Sequence, residues 1–193
     1  MGKLPMEVLQ DLLEHCRKAD PRLIAGPTVG EDVAVIDMGD RYIVVKTDPI
    51  TFASDQIGWY AVYVNANDIA TSGARPLWML NTVLLPEGKT NLEVVHTIFR
   101  QLRKACDELG ILLVGGHTEV TWGLDRPIVV GVMIGEGPHD RLLTTAGARP
   151  GDRILLVKGI PIEGTAIIAR EKAEELRRRG YPEGFLARAQ GYL

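Results

Sequence analysis

Apolar residues recur along this chain in two rhythms. Between residues 5 and 19, Val8, Leu12 and Cys16 fall four apart with Leu9 and Leu13 beside them, which predicts an amphipathic helix. The same period is clearest at 92–109. There Leu92, Val95, Phe99, Leu102, Cys106 and Leu109 alternate three and four apart and predict one apolar stripe. Asn91 in front is a good N-cap, and Gly110 behind supplies the left-handed stop. Residues 58–72 read as a third helix, ended by Gly73 with Pro76 beyond it. The second rhythm is that of strands. β-branched runs at Val33–Asp37 and Tyr42–Asp48, joined by Met-Gly-Asp-Arg, predict a hairpin, and Leu77–Leu85, Ile111–Val114 and Pro127–Ile134 predict further strands. Residues 20–32 read as loop, punctuated by Pro21, Gly26, Pro27 and Gly30. Helices alternating with strands, one hairpin included, predict a mixed α/β (α+β) fold of about four strands with the 58–72 and 91–109 helices on one face.

The pattern changes after residue 143. Gly147, Pro150 and Gly151 form a turn, Arg153–Val157 predicts a new strand, and Gly164–Arg179 predicts a helix before a Gly/Pro-rich tail. We therefore expect one domain over 1–147 and an incomplete second one over 148–193, which is below the size that usually builds its own core. Composition agrees with an ordered globular protein, 46% hydrophobic and 24% charged. A net charge of −3 argues against a general nucleic-acid binder, and Arg177–Arg179 read as a solvated helix end. Cys16 and Cys106 both lie on apolar sides of helices and read as buried small hydrophobes, not a disulfide. No run of 18 apolar residues and no signal peptide is visible, so a cytoplasmic protein without a membrane partner is expected.

Polar residues interrupt the apolar runs at four places. They are Glu31-Asp32, Thr47-Asp48, Asn65 with Asp68, and Gly115-Gly116-His117-Thr118-Glu119. Carboxylates at strand ends and on a facing helix suit Mg²⁺, a hard ion that wants oxygen ligands and phosphate. A Gly-Gly step lets backbone N–H groups approach phosphate without a Cβ in the way. Each motif also has a plain structural alternative. Gly-Glu-Asp can be a turn, Thr-Asp-Pro a strand end with an Asx turn, Asp68 an exposed helix residue, and Gly-Gly-His a loop. Neither a P-loop nor a Rossmann glycine motif is present.

In this order the motifs resemble the PurM-like (AIR synthase-related) superfamily. It contains aminoimidazole ribonucleotide synthetase, thiamine-monophosphate kinase, selenophosphate synthetase and the hydrogenase expression/formation protein HypE. The resemblance rests on "GEDVAV", "KTDPI", "VNANDIATSGARP" and "LVGGHTEV", and "GDRILLVKGIPIEGTAIIARE" resembles the opening of the family's C-terminal domain. It implies that Asp32, Asp48 and Asp68 are Mg²⁺ ligands. It also implies that Thr47, Asn65, Gly115, Gly116, His117 and Thr118 lie at the ATP site, and that two N-terminal-domain sheets close into a barrel across a homodimer with ATP near that interface. His117 stands where several relatives carry Asp, with Glu119 two residues on. "ITFASD" lacks the His-Phe pair of thiamine-monophosphate kinases, and Cys16 lies in a helix instead of a reactive selenophosphate-synthetase loop. The nearest group is then the HypE type, which activates an amide or carbonyl oxygen by phosphoryl transfer and works with a maturation partner protein. The chain ends "ARAQGYL", without the Cys-bearing HypE tail, and resembles a truncated member whose activity alone is open. The competing readings are a non-catalytic dimerisation or partner-binding module that keeps the fold, and a thiamine-monophosphate-kinase-like small-molecule kinase.

Overall fold

The computed structural model of the protein describes residues 2–53 and 55–192. Six strands form one sheet. They are β1 (Leu23–Ala25), β2 (Ala34–Asp37), β3 (Tyr42–Ile50), β4 (Arg75–Pro86), β5 (Leu112–Thr121) and β6 (Ile128–Gly137), in the spatial order β1-β2-β3-β6-β4-β5. Neighbours run antiparallel except β4 and β5, which are parallel. The expected β2–β3 hairpin forms, with Ala34 opposite Val45 and Asp37 opposite Tyr42.

Period-two burial separates the two faces of the sheet. Val44, Met79, Val83, Leu85, Val129 and Met133 are buried on one side. That side carries α2 (Ile57–Thr71), and α3 (Leu92–Leu109) packs against α2 and β5. Two close approaches seat α2. Gly58 lies so near α3 that a Cβ would meet the Ile98 carbonyl oxygen at 2.6 Å, and a Cβ on Gly131 of β6 would meet Asn65 Nδ2 at 2.5 Å. On the other side Val45, Trp78, Leu80, Val130, Val132 and Ile134 stay half-buried, and no layer covers them among the described residues.

Helix α3 begins as expected, with the Asn91 side chain accepting from the Val94 N–H at 2.9 Å, and ends on Gly110 at φ 66°. Its buried face is turned from the expected stripe. Ile98, Leu102, Ala105 and Cys106 are buried, whereas Leu92 is largely exposed and Phe99 partly so, because close contact with α2 at Gly58 selects the Ile98 side.

Several expectations are corrected. The sheet has six strands against about four expected: all five apolar runs named above pair into it, and three residues of the expected 20–32 loop add β1 beside β2. Residues 115–119 are strand, not loop, because β4 offers a continuous parallel partner from Trp78 to Pro86. Arg153–Val157 forms no strand: among the described residues it has no neighbour to pair with, and Ile154 is 97% exposed. The 164–179 helix divides at Lys172 into α4 (Ile162–Glu171) and α5 (Ala173–Arg178), and the expected tail contains α6 (Glu183–Gln190). Ala166 and Ala169 of α4 and Leu186 and Ala189 of α6 are buried, so these helices pack on one another. Arg170 ties α4 to Asp55 at 2.5 Å, and Ile167 packs on the main core. Helix α1 (Met6–Cys16) buries none of its residues, and Cys16 is exposed, unlike Cys106.

Candidate functional site

Along β3 the residues Tyr42, Val44, Lys46, Asp48 and Ile50 share the face turned towards α2, by strand alternation. Lys46 is therefore carried into the interior, only 9% exposed. Its Nζ lies 2.8 Å from Asp68 Oδ2 of α2, 3.4 Å from Asp48 Oδ2 and 3.8 Å from Asp32 Oδ1, from the loop before β2. The three aspartates thus gather around one ammonium. Three carboxylates against one cation leave two negative charges uncompensated.

The electrostatics follow. Burial works against the charge of Lys46, but the hydrogen bond to Asp68 and the charges of Asp68, Asp48 and Asp32 outweigh it and hold its pKa above the usual lysine value. Burial, reinforced by Asp32 and Asp48, pushes the Asp68 carboxyl up despite Lys46. Glu163, on the first turn of α4, is also pushed up, first by burial and then by Asp48 and Asp68, so α4 brings a fourth carboxylate towards the cluster.

A cleft of about 210 Å³ adjoins the aspartates, lined by Glu31, Asp32, Asp68, Ser72 and Thr144–Thr145 among others. Its far wall is the segment after β6, held by two bonds. The Thr145 N–H donates to Glu31 Oε1 at 3.0 Å, and the Leu143 N–H donates to the Ser72 carbonyl at 2.9 Å.

Other expected residues lie elsewhere. Thr47 points to the uncovered face and donates to the Gly131 carbonyl at 2.9 Å. Asn65 is fully buried; its Nδ2 donates to the Ala61 carbonyl at 2.8 Å and to the Asp48 carbonyl at 3.4 Å. It props the strand that carries Asp48, and its Oδ1 has no partner among the described residues. Gly115, Gly116, His117 and Thr118 are on β5, three strands from β3 or roughly 14 Å across the sheet. Gly116 is pressed to β4, where a Cβ would sit 2.0 Å from the Asn81 carbonyl oxygen. His117 is exposed and lies 3.4 Å from Glu119 Oε2. The structure brings Asp32, Asp48 and Asp68 together, with Asn65 beneath, and leaves Thr47 and the β5 residues outside that group.

Lys46, Glu163 and Asn81 are additions that sequence reasoning missed. A signal for Lys46 was available, since it shares the parity of Val44 and Asp48. Asn81 interrupts an apolar strand, is buried, and has neither amide atom partnered among the described residues.

Among the described residues no group of three acid, histidine or cysteine side chains is arranged to hold a metal ion as it stands. The donor type nevertheless fits a hard divalent cation: three separate carboxylates meet at a point that already attracts a cation, the Lys46 ammonium.

Comparison with known proteins gives this geometry a family. Residues 30–136, which hold all three aspartates and the Gly-Gly-His strand, match the family described as AIR synthase related protein, N-terminal domain. A putative hydrogenase expression/formation protein of Methanocaldococcus jannaschii is 30% identical over 86% of this chain and 51% of its own length. A selenide, water dikinase of Trichlorobacter lovleyi is 35% identical over 86% of this chain and 49% of its own. The chain thus spans about half the length of these relatives. Among solved structures, the hydrogenase maturation protein HypE in complex with ATP superposes with a TM-score of 0.63 at 27% identity, covering 80% of this chain and 46% of that one. A HypE–HypF complex superposes at 0.56 and 29% identity, over 63% and 41%. With its mixed sheet, its covering helices and more than half its length matched, the chain belongs to the AIR synthase-related family.

Proposed function

We propose that the chain is the Mg²⁺- and ATP-binding part of an AIR synthase-related protein of the HypE type, activating an amide or carbonyl oxygen by phosphoryl transfer. The observation that carries this reading is the convergence of Asp32, Asp48 and Asp68 inside the family-matched region. When bound, ATP would supply the phosphoryl group and Mg²⁺ would neutralise its charge. The chain's own part is positional. The three carboxylates hold the ions, Asn65 fixes the strand beneath Asp48, and the Glu31-anchored 143–145 segment walls the cleft.

In this reading residues 1–147 form the nucleotide-binding domain and 148–193 open a second one, whose Glu163 extends the acidic surface. The uncovered sheet face pairs with that of a second copy. Thr47, Gly115, Gly116, His117 and Thr118 then meet nucleotide near the shared interface instead of at the aspartate cluster of one chain. The similarity to the HypE–HypF complex supports a maturation partner protein, and among the described residues no helix is long and apolar enough to cross a membrane.

A second reading, a dimerisation or partner-binding module without catalysis, is favoured by one observation: Lys46 already occupies the centre of the carboxylates. Thermal unfolding with and without Mg²⁺-ATP separates the two. The parent chain is expected to gain several degrees with Mg²⁺-ATP, and Asp68→Asn to lose most of that gain. An equal gain in both proteins, or none in the parent, rejects the nucleotide-site reading.

A further inference from the structure

The Lys46 ammonium and a divalent ion cannot both sit among Asp32, Asp48 and Asp68. We propose that Lys46 is a built-in counter-ion: it holds the three carboxylates together in the metal-free protein and has to leave when a divalent cation enters. This rests on the Mg²⁺-ATP reading above and adds to it how the site is kept closed to metal alone.

Three observations carry it. First, Lys46 Nζ is within 3.8 Å of all three carboxylates and closest, at 2.8 Å, to Asp68. A cation placed between the same oxygens would stand within a few ångströms of the ammonium, where like-charge repulsion is strong in a partly buried site. Second, the carboxylates have little else to hold them together. Among the described residues the ion pairs of Asp32, Asp48 and Asp68 all run to Lys46, so without it three negative groups face one another. Third, the ammonium has somewhere to go. It rides on a flexible four-carbon stem, and the adjoining cleft of about 210 Å³ offers the Thr71, Ser72, Thr144 and Thr145 side chains along its walls.

Metal uptake is then an exchange of one cation for another, which weakens binding of the free ion. A polyphosphate arriving with the metal gives the displaced ammonium a new anionic partner, so ion and nucleotide favour each other's binding.

Calorimetric titration of the full chain with MgCl₂ alone tests the exchange. The parent is expected to bind weakly, and Lys46→Met to bind about tenfold tighter or more, since its carboxylates have no resident cation to displace. The variant should also melt lower than the parent without metal and recover on adding MgCl₂. Equal or weaker Mg²⁺ affinity in Lys46→Met overturns the proposal. In case that variant does not fold, the parent labelled with ¹⁵N at lysine provides a second reading. The Lys46 ammonium signal should move along the Mg²⁺-ATP binding curve, and a signal unmoved at saturation also overturns the proposal. If the parent binds Mg²⁺-ATP while these results go against Lys46, the counter-ion role alone fails. If the parent takes up no Mg²⁺ with or without ATP, the nucleotide-site reading fails with it.

Discussion

Tyr60 shows what burial does to a single side chain here. It is 1% exposed on α2, and its hydroxyl has no partner among the described residues. Burial pushes its pKa up to about 12. In the unfolded chain the phenol ionises near 10. Between those two values the unfolded state gives up a proton that the folded state keeps, so stability falls as pH rises through the window, by roughly 3 kcal/mol for this residue. Tyr60→Phe removes the effect. At pH 9 the variant should match or exceed the parent in urea, because an unpaired buried hydroxyl contributes little, and above pH 11 it should retain more stability than the parent. Identical pH dependence would mean the hydroxyl is solvated. The candidate site was legible at this scale only in part. Asp32, Asp48 and Asp68 stand out because each ends or interrupts an apolar run. Lys46 does not, because a lysine in a strand reads as solvated until its parity with Val44 is followed through. Thr47 illustrates the converse: it neighbours Asp48 in sequence, but one step along a strand reverses the face.

At the scale of elements, what the sequence shows depends on where the partner comes from. Helix α3 carries its own cap, stop and apolar period, so its limits were readable to within a residue. The direction of its buried face was readable only in part: Leu102 and Cys106 of the expected stripe are buried, but the contact with Gly58 on another helix brings in Ile98 and leaves Leu92 and Phe99 out. This gives a direct comparison. Leu102→Ala should lose about 2–4 kcal/mol of stability, and Phe99→Ala less than about 1.5 kcal/mol, in urea unfolding. The reverse order would restore the Leu92–Phe99 stripe to the core. Strand β5 runs further than its apolar residues predict, for the same kind of reason. Its backbone is satisfied by β4, so Gly115–Glu119 remains strand although most of its side chains are exposed. At Arg153–Val157 the side chains suit a strand, but among the described residues no neighbouring strand supplies hydrogen bonds.

For the whole molecule, the one-sided sheet dominates. Helices cover one face, and Val45, Trp78, Leu80, Val132 and Ile134 leave an apolar surface on the other. A surface of this kind calls for a partner layer. In the proposed dimer that layer is the same surface of a second copy. Val132 lies on β6, near the middle of the sheet, with its side chain on the uncovered face. Val132→Glu should therefore convert a dimer to a folded monomer in light scattering at micromolar concentration, with unchanged far-ultraviolet circular dichroism. A monomeric parent would leave the face to another occupant. The apolar run that failed to become a strand has a different consequence. Ile154, Leu155, Leu156 and Val157 are consecutive, aliphatic and exposed, the sequence type that nucleates intermolecular cross-β stacking. Asp152 and Arg153 precede this run and Lys158 follows it. Their charges act as gatekeepers, so neutralising Arg153 and Lys158 together should turn this stretch into a seed for fibrils while leaving the six-stranded sheet untouched.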